Sequence, residues 1–130
     1  MLDLESLNPV STIATADLIT VPGNLPLELM RAMFRVGKLS RVVVVDDAAR
    51  PVGVVSLSDL VAREGLSDQM PVNALMSHDV VSVPAEATIV EACQVMAEKN
   101  LHGLAVLGPT GDRWLSATDV VRWVATRANP

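Results

Sequence analysis

Two Ser-x-x-Asp motifs place a hydroxyl and a carboxylate three residues apart, at Ser56–Asp59 and at Ser116–Asp119. Each motif follows a short apolar segment and precedes a stretch with helical spacing, so it is predicted to lie where a strand passes into a helix. A carboxylate can accept hydrogen bonds from both hydroxyls of a ribose, and bonds to a charged acceptor are strong. The same spacing is also typical of a helix-capping box, in which both side chains bond only to the backbone. Both interpretations stay open.

The two motifs belong to a longer repeat of about sixty residues. The segment N-P-V-S-T-I-A-T-A-D-L-I-T-V-P at 8–22 matches M-P-V-N-A-L-M-S-H-D-V-V-S-V-P at 70–84, and V-V-S-L-S-D-L at 54–60 matches W-L-S-A-T-D-V at 114–120. A single copy would bury little surface, whereas two copies can share one aliphatic core. We therefore predict a first unit at 1–66, which includes a short N-terminal segment, and a second unit at 67–130.

Each copy is predicted to fold in the order strand, helix, strand, strand, helix, which is an α+β unit. Leu27, Met30 and Phe34 lie at i, i+3 and i+7, which predicts a helix. The four consecutive valines at 42–45 predict a buried strand. The predicted strands are 18–21, 42–45, 52–56, 80–83, 104–107 and 114–116, and the predicted helices are 25–36, 58–63, 88–99 and 118–127.

Composition excludes several classes of function. The net charge of −5 argues against a general nucleic-acid binder, which needs a basic face. The longest apolar runs are far shorter than a membrane span, and the acidic N-terminus has no signal-peptide pattern. The single Cys93 cannot form an internal disulfide, which fits a reducing cytoplasm. Cys93, His78 and His102 lack zinc-like spacing, so no metal site is expected.

The order of motifs resembles the CBS domain, a module named after cystathionine β-synthase that occurs in pairs called Bateman modules. The resemblance covers the chain from about Pro9 to Val124. It is carried by L-M-S-H-D-V-V-S-V at 75–83, R-V-V-V-V-D at 41–46, G-V-V-S-L-S-D-L at 53–60 and R-W-L-S-A-T-D-V at 113–120. It implies two β-α-β-β-α units packed with pseudo-twofold symmetry, with two equivalent clefts between them.

The resemblance also implies the ligand and its contacts. Many family members bind adenosine-containing ligands: AMP, ADP, ATP, S-adenosylmethionine or dinucleotides. It assigns Asp59 and Asp119 to ribose, with Ser56 and Ser116 near ribose or phosphate. The basic position before the middle strand, which often faces phosphate, maps onto Arg41 and His102. Backbone near the adenine is expected at Leu18, Ile19 and Thr20 in the first copy and at Val80, Val81 and Ser82 in the second.

The copies depart from the family pattern to different degrees. Copy one keeps glycine at the start of its last strand, Gly53, whereas copy two has Arg113 there. Arg113 is expected either to crowd the second cleft or to offer it a charge, while Gly53 leaves room. Arg41, Ser56 and Asp59 therefore match the family better than His102, Ser116 and Asp119, and the first cleft is predicted to bind more tightly.

The resemblance implies regulation rather than catalysis, and no nucleophile–base set, Gly-rich phosphate loop or zinc-protease motif points to an enzyme. We predict a cytoplasmic module, with no required cofactor, that senses an adenine nucleotide or S-adenosylmethionine and signals to an unknown effector protein. A symmetric homodimer is expected, with neither nucleic acid nor membrane as a partner. The alternative is a dimerisation or scaffold module without a small ligand.

Overall fold

The computed structural model describes residues 4–63, 65–78 and 80–127. The predicted order of elements is confirmed in both copies, and the fold is mixed α+β with two sheets and four helices. The strands are β1 (Ala16–Asp17), β2 (Thr20–Pro22), β3 (Arg41–Val45), β4 (Pro51–Ser56), β5 (Ser82–Pro84), β6 (Gly103–Leu107) and β7 (Arg113–Ser116). The helices are α1 (Leu27–Gly37), α2 (Leu57–Ala62), α3 (Ile89–Glu98) and α4 (Ala117–Arg127).

The chain folds into two compact units. One, the central unit, is Ile19–Val80; the other, the terminal unit, combines the residues up to Leu18 with those from Val81 onward. In the central unit β3 lies between parallel β2 and antiparallel β4. In the terminal unit the strand order is β1-β7-β6-β5, with β5 and β6 parallel and the other neighbours antiparallel.

Each unit has an aliphatic core on the helix-covered face of its sheet, as the shortage of aromatic residues predicts. In the central unit Leu27 and Met30 of α1 are fully buried and pack with Val42, Val44 and Val55. The terminal core holds the equivalent set of strand and helix residues: Val83, Ala92, Met96, Leu104, Val106 and Leu115. Cys93, on the apolar side of α3, is only half-buried, and burial raises the pKa of its thiol.

The opening segment of each repeat packs in the unit formed by the rest of the other repeat. The Val72 N–H donates to the Leu25 carbonyl at 2.8 Å, and the Val10 N–H donates to the Ala87 carbonyl at 2.7 Å. Val10 and Val72 are both fully buried. The compact units therefore cut across the sequence repeats, and the division at residue 66 stays a prediction.

No helix in the described ranges is long and apolar enough to cross a membrane. The longest helices, α1 and α4, have 11 residues each, whereas a transmembrane helix needs about 20.

Candidate functional site

The central unit brings together three residues predicted from the sequence, Arg41, Ser56 and Asp59, which we call the copy-one site. Arg41 and Ser56 are directly opposite each other on antiparallel β3 and β4. Opposite residues share one face of a sheet and have Cα atoms about 4.5–5.5 Å apart. Ser56 is also the residue that caps α2, and Asp59 lies in the first turn of that helix. The backbone therefore places an arginine, a serine and an aspartate at the same end of the sheet.

Ser56 and Asp59 form the capping box that the sequence left open as an alternative. The Asp59 N–H donates to Ser56 Oγ at 3.2 Å. In return, Asp59 Oδ2 accepts from the Ser56 N–H and from the Ser56 hydroxyl, both at 2.9 Å. The capping interpretation is confirmed, and it fixes the direction in which the carboxylate points.

The cap engages only one of the two carboxylate oxygens of Asp59. Residues 4–63, 65–78 and 80–127 make hydrogen bonds to Oδ2 and none to Oδ1, and Asp59 is half-buried. An ionised carboxylate oxygen has lone pairs for two acceptor bonds. Oδ1 can therefore accept from a hydroxyl donor without breaking the cap.

The second set, Ser116 and Asp119 in the terminal unit, has the same cap but a different second oxygen. The Ser116 N–H donates to Asp119 Oδ2 at 2.9 Å, and the Asp119 N–H donates to Ser116 Oγ at 3.1 Å. Arg122, three residues further along α4, lies 3.6 Å from Asp119 Oδ1. The equivalent position in α2 is Ala62. The carboxylate of copy two is therefore already paired with a cation.

The two basic positions predicted as equivalent, Arg41 and His102, occupy different registers. In copy two the residue opposite Ser116 is Gly103, not His102. His102 corresponds instead to Ser40, because the carbonyl of each accepts a 2.9 Å bond from the first residue of the following helix, Ala117 or Leu57. The structure therefore corrects the expected equivalence, and the cation of copy one has no counterpart opposite Ser116.

Two further positions differ from the sequence expectation. Gly53 does not leave open space, because a Cβ there would lie 2.3 Å from Met76 Sδ and 2.9 Å from the Ser77 carbonyl. Arg113 lies at the edge beside β1, where it pairs with Asp17 at 3.1 Å and donates to the Thr15 carbonyl at 3.3 Å. The space beside Gly53 is therefore already filled by Met76, and the charge of Arg113 is paired with Asp17.

Comparison with known proteins decides the family. The model of the CBS domain matches twice, at residues 10–64 and 72–126. The chain belongs to the CBS-domain family. Its two CBS repeats form the tandem arrangement called a Bateman module, as the motifs predicted.

Relatives of known sequence or structure agree with this assignment. An uncharacterized protein of Methanocaldococcus jannaschii is 27% identical over 133 residues, which cover 89% of this chain and 32% of that protein. This chain thus spans about a third of the length of that relative. An uncharacterized conserved protein of Pyrococcus horikoshii is 18% identical, with a TM-score of 0.71 and 95% of both chains covered.

The CBS domain of the bacterial CNNM/CorC family Mg2+ transporter, solved in complex with ATP, is also similar. It is 21% identical, has a TM-score of 0.74, and the match covers 90% of this chain and 87% of that one. At these identities the structural likeness establishes the fold. CBS pairs of this fold thus include one that binds ATP.

The backbone segments predicted near the adenine are divided between the central unit and the terminal unit. Ile19 accepts a 2.9 Å hydrogen bond from the Val43 N–H, which places it in the central unit with the copy-one site. Val81 accepts one from the Ala105 N–H at 2.9 Å, in the terminal unit. Of the remaining predicted residues, the central unit contains Thr20 and Val80, and the terminal unit contains Leu18 and Ser82.

Sequence reasoning did not anticipate a pair of clefts at the hairpin end of each sheet. The cleft of the terminal unit has a volume of about 560 Å³ and is lined by Ala14, Val106, Gly108 and Arg113 among others. The equivalent cleft in the central unit has a volume of about 380 Å³. It is lined by Met76 at the position that Ala14 occupies in the terminal unit. None of the six predicted contact side chains lines either cleft.

Within the described ranges, no group of three or more His, Cys, Asp or Glu residues could hold a metal ion.

Proposed function

We propose that this CBS pair is a regulatory module that binds an adenine nucleotide or S-adenosylmethionine at the copy-one site and signals to a separate protein. The observation that carries the proposal is the half-engaged carboxylate of Asp59, held by its cap beside Ser56 and next to the strand that carries Arg41. The ATP complex of the CNNM/CorC CBS domain supports the same ligand class.

The chemistry of the site fits a nucleotide. A ligand bound at this site would present hydroxyl donors to Asp59 and an anion to Arg41. Arg41 can pair with a phosphate through two parallel hydrogen bonds. Ribose and phosphate are adjacent groups in a nucleotide, and Arg41 is opposite Ser56, the residue that caps the helix of Asp59. The backbone of Ile19 and Thr20, in the same compact unit, is then proposed to contact the base.

Regulation follows from differential binding rather than from chemistry at the site. A ligand changes the state of a partner only by the difference in its affinity for two conformations, typically about 1–3 kcal/mol. CBS-domain pairs are generally regulatory modules rather than catalysts. We place this one in the cytoplasm, because its single cysteine suits a reducing compartment.

Thermal unfolding with a ligand panel tests this function. AMP, ADP, ATP and S-adenosylmethionine are each added to the chain, and at least one is expected to raise the midpoint of unfolding. A ligand at 100 times its Kd stabilises the folded state by about 2.7 kcal/mol. The matched control is the 2′,3′-dideoxy form of the best nucleotide, which lacks the hydroxyls assigned to Asp59 and is expected to shift the midpoint far less. No shift with any ligand would contradict the proposal and favour a scaffold.

Homodimerisation is the second part of the proposal. Apolar side chains on the outer faces of the helices are exposed, among them Leu57 and Val61 of α2 at 50% and 66%. With Arg31, Phe34 and Arg35 of α1 they line a groove of about 310 Å³. A twofold dimer uses one such patch twice and leaves no further open surface.

Light scattering at micromolar concentrations is expected to report a dimer for the wild-type chain. Val61→Glu places a charge in the groove and is expected to shift the mass to that of a monomer, because an unpaired charge is costly to bury. The matched variant is Val124→Glu, in α4 of the terminal unit, where the wild-type valine is 49% exposed. A dimer that only Val124→Glu disrupts would move the interface to the terminal unit, and a monomeric wild-type chain would refute the dimer.

A further inference from the structure

The cleft at the hairpin end of the terminal unit differs from its counterpart in the central unit by a coupled exchange of two residues. In the central unit Met76 lines the cleft, and a Cβ on Gly53 would collide with Met76 Sδ. The matching residues of the terminal unit are Ala14 in the sequence repeat and Arg113 in the strand register. Both line its cleft, which has a volume of about 560 Å³ against about 380 Å³. The larger cleft thus contains a cation, whereas none of the described residues that line the smaller one is basic.

The guanidinium of Arg113 is held at the terminal cleft by only one of its three nitrogens. Nη1 donates to the carbonyl of Thr15, which also lines the cleft, at 3.3 Å. The same nitrogen pairs with Asp17 at 3.1 Å. Nε and Nη2 make no hydrogen bond to residues 4–63, 65–78 or 80–127. These two nitrogens form an edge that can bind both oxygens of a carboxylate.

The ion pair with Asp17 leaves the charge of Arg113 accessible to a ligand. The Asp17 side chain is 82% exposed, and that of Arg113 is 44% exposed. Ion pairs this open to solvent contribute little to stability, because water screens both charges. A ligand carboxylate can therefore share the guanidinium with Asp17 or displace it.

A second charged residue, Glu86, lines the same cleft. Glu86 follows β5 and Arg113 begins β7, with β6 between these strands, so β5 and β7 are about 10 Å apart. Glu86 is exposed, and its carboxylate has no hydrogen bond or ion pair with any residue that the structure describes. The other lining residues are uncharged, among them Ala14, Val106 and Thr110. The cleft therefore offers one cation and one anion on strands two apart in the sheet.

We propose that the terminal cleft is a second ligand site that binds a small zwitterion, with the ligand carboxylate on the Nε–Nη2 edge of Arg113 and the ligand ammonium group on Glu86. Separate charges of opposite sign are complementary to a ligand that carries both. The matching chemical class is an amino acid whose ammonium group lies several bonds from its carboxylate. A nucleoside triphosphate is disfavoured here, because Glu86 and Asp17 repel a multiply charged anion. The volume of the cleft is within the range of small-molecule sites, about 300–1,000 Å³.

NMR titration of the isotope-labelled chain with β-alanine, γ-aminobutyrate and ε-aminocaproate tests the proposal. At least one of them is expected to shift the amide signals of Thr15, Glu86 and Thr110 in a saturable way. Two analogues of the tightest probe, one without its amino group and one without its carboxyl group, are expected to bind at least about tenfold more weakly, because each loses a charge-assisted bond. No saturable shift with any probe, or analogues that bind as tightly as the zwitterion, would overturn the proposal.

Substitutions separate the roles of the charged residues. Arg113→Gln is expected to weaken zwitterion binding by at least about tenfold, and Asp17→Asn to tighten it about two- to fivefold by removing a competing carboxylate. Glu86→Gln is expected to bring the zwitterion and its analogue without the amino group within about threefold of each other. The control is Arg50→Gln, at the central hairpin, where Arg50 pairs with Asp46; it is expected to change nothing.

The two exposed positions, Asp17 and Glu86, keep the proposal testable if Arg113→Gln fails to fold. Zwitterion binding that is unchanged in Arg113→Gln, or a preference for the zwitterion that survives Glu86→Gln, would contradict it. None of the side chains assigned to the nucleotide lines this cleft. Nucleotide binding is therefore expected to persist in Arg113→Gln, and failure of either proposal leaves the other standing.

Discussion

Replacing Asp59 by alanine is expected to weaken binding of the adenosyl ligand by about ten- to a hundredfold. The substitution removes the Oδ1 acceptor proposed for the ribose hydroxyls, and a hydrogen bond to a charged group contributes about 1.5–3 kcal/mol. Calorimetric titration with the best ligand of the panel measures the loss. The matched variant is Asp119→Ala, for which a smaller loss is expected because Arg122 already pairs with that carboxylate.

The stability of the helix cap must be separated from ligand affinity. Asp59→Ala also removes the acceptor for the Ser56 N–H, and loss of a capping interaction costs about 0.5–2 kcal/mol of stability. Denaturant melts without ligand report this cost by itself. If Asp59→Ala lowers the free energy of unfolding but leaves the affinity intact, Asp59 is only a cap. If Asp119→Ala alone abolishes binding, the order of the two sites is reversed.

A fragment of residues 19–80 is expected to fold, whereas a fragment of residues 1–66 is not. The first contains the whole central unit, including the segment around Val72 that is buried in it. The second has the same length within a few residues but lacks that segment, so the Leu25 carbonyl loses its 2.8 Å hydrogen bond and the core loses a buried valine. Small domains have little stability to spare.

Circular dichroism melts of the two fragments give the comparison. A cooperative transition is expected for 19–80 and a sloping, non-cooperative one for 1–66. Cooperative unfolding of 1–66 alone would show that the sequence repeat, rather than the compact unit, is the folding domain.

The sequence predicted the order of elements because local patterns determine it. The four valines at 42–45 form β3 (Arg41–Val45), and the helical spacing of Leu27, Met30 and Phe34 becomes the buried face of α1. The observed strand ends differ from the predicted ones where a short strand has little hydrophobic pattern in its sequence. The strand predicted at 18–21 lies at Thr20–Pro22, since the parallel pairing of Thr20 with Val43 sets its position.

Features that depend on long-range pairing were missed. The two-residue strand β1 exists only because Ala16 pairs with Trp114, nearly a hundred residues away, and nothing local specifies it. The equivalence assumed between Arg41 and His102 failed for the same reason, because hydrogen bonding and not motif position sets the register. The close approach of the Trp114 indole to Gly103 likewise could not be predicted, because it depends on the strand register.

One missed feature of the site was visible in the sequence. Asp119 and Arg122 are three residues apart in a predicted helix, a spacing at which opposite charges meet. Copy one has Ala62 at the matching place. The tighter binding predicted for the copy-one site therefore follows from the difference between Arg122 and Ala62, and not from the contrast of Gly53 with Arg113.

A crystal structure of the chain grown with ATP tests the central claim most directly. The account predicts a nucleotide in the copy-one site, with a ribose hydroxyl within hydrogen-bond distance of Asp59 Oδ1 and a phosphate paired with Arg41. The cap between Ser56 and Asp59 Oδ2 is expected to remain intact. Clear density for ATP at any other place, with Asp59 Oδ1 in contact with water alone, would contradict the account.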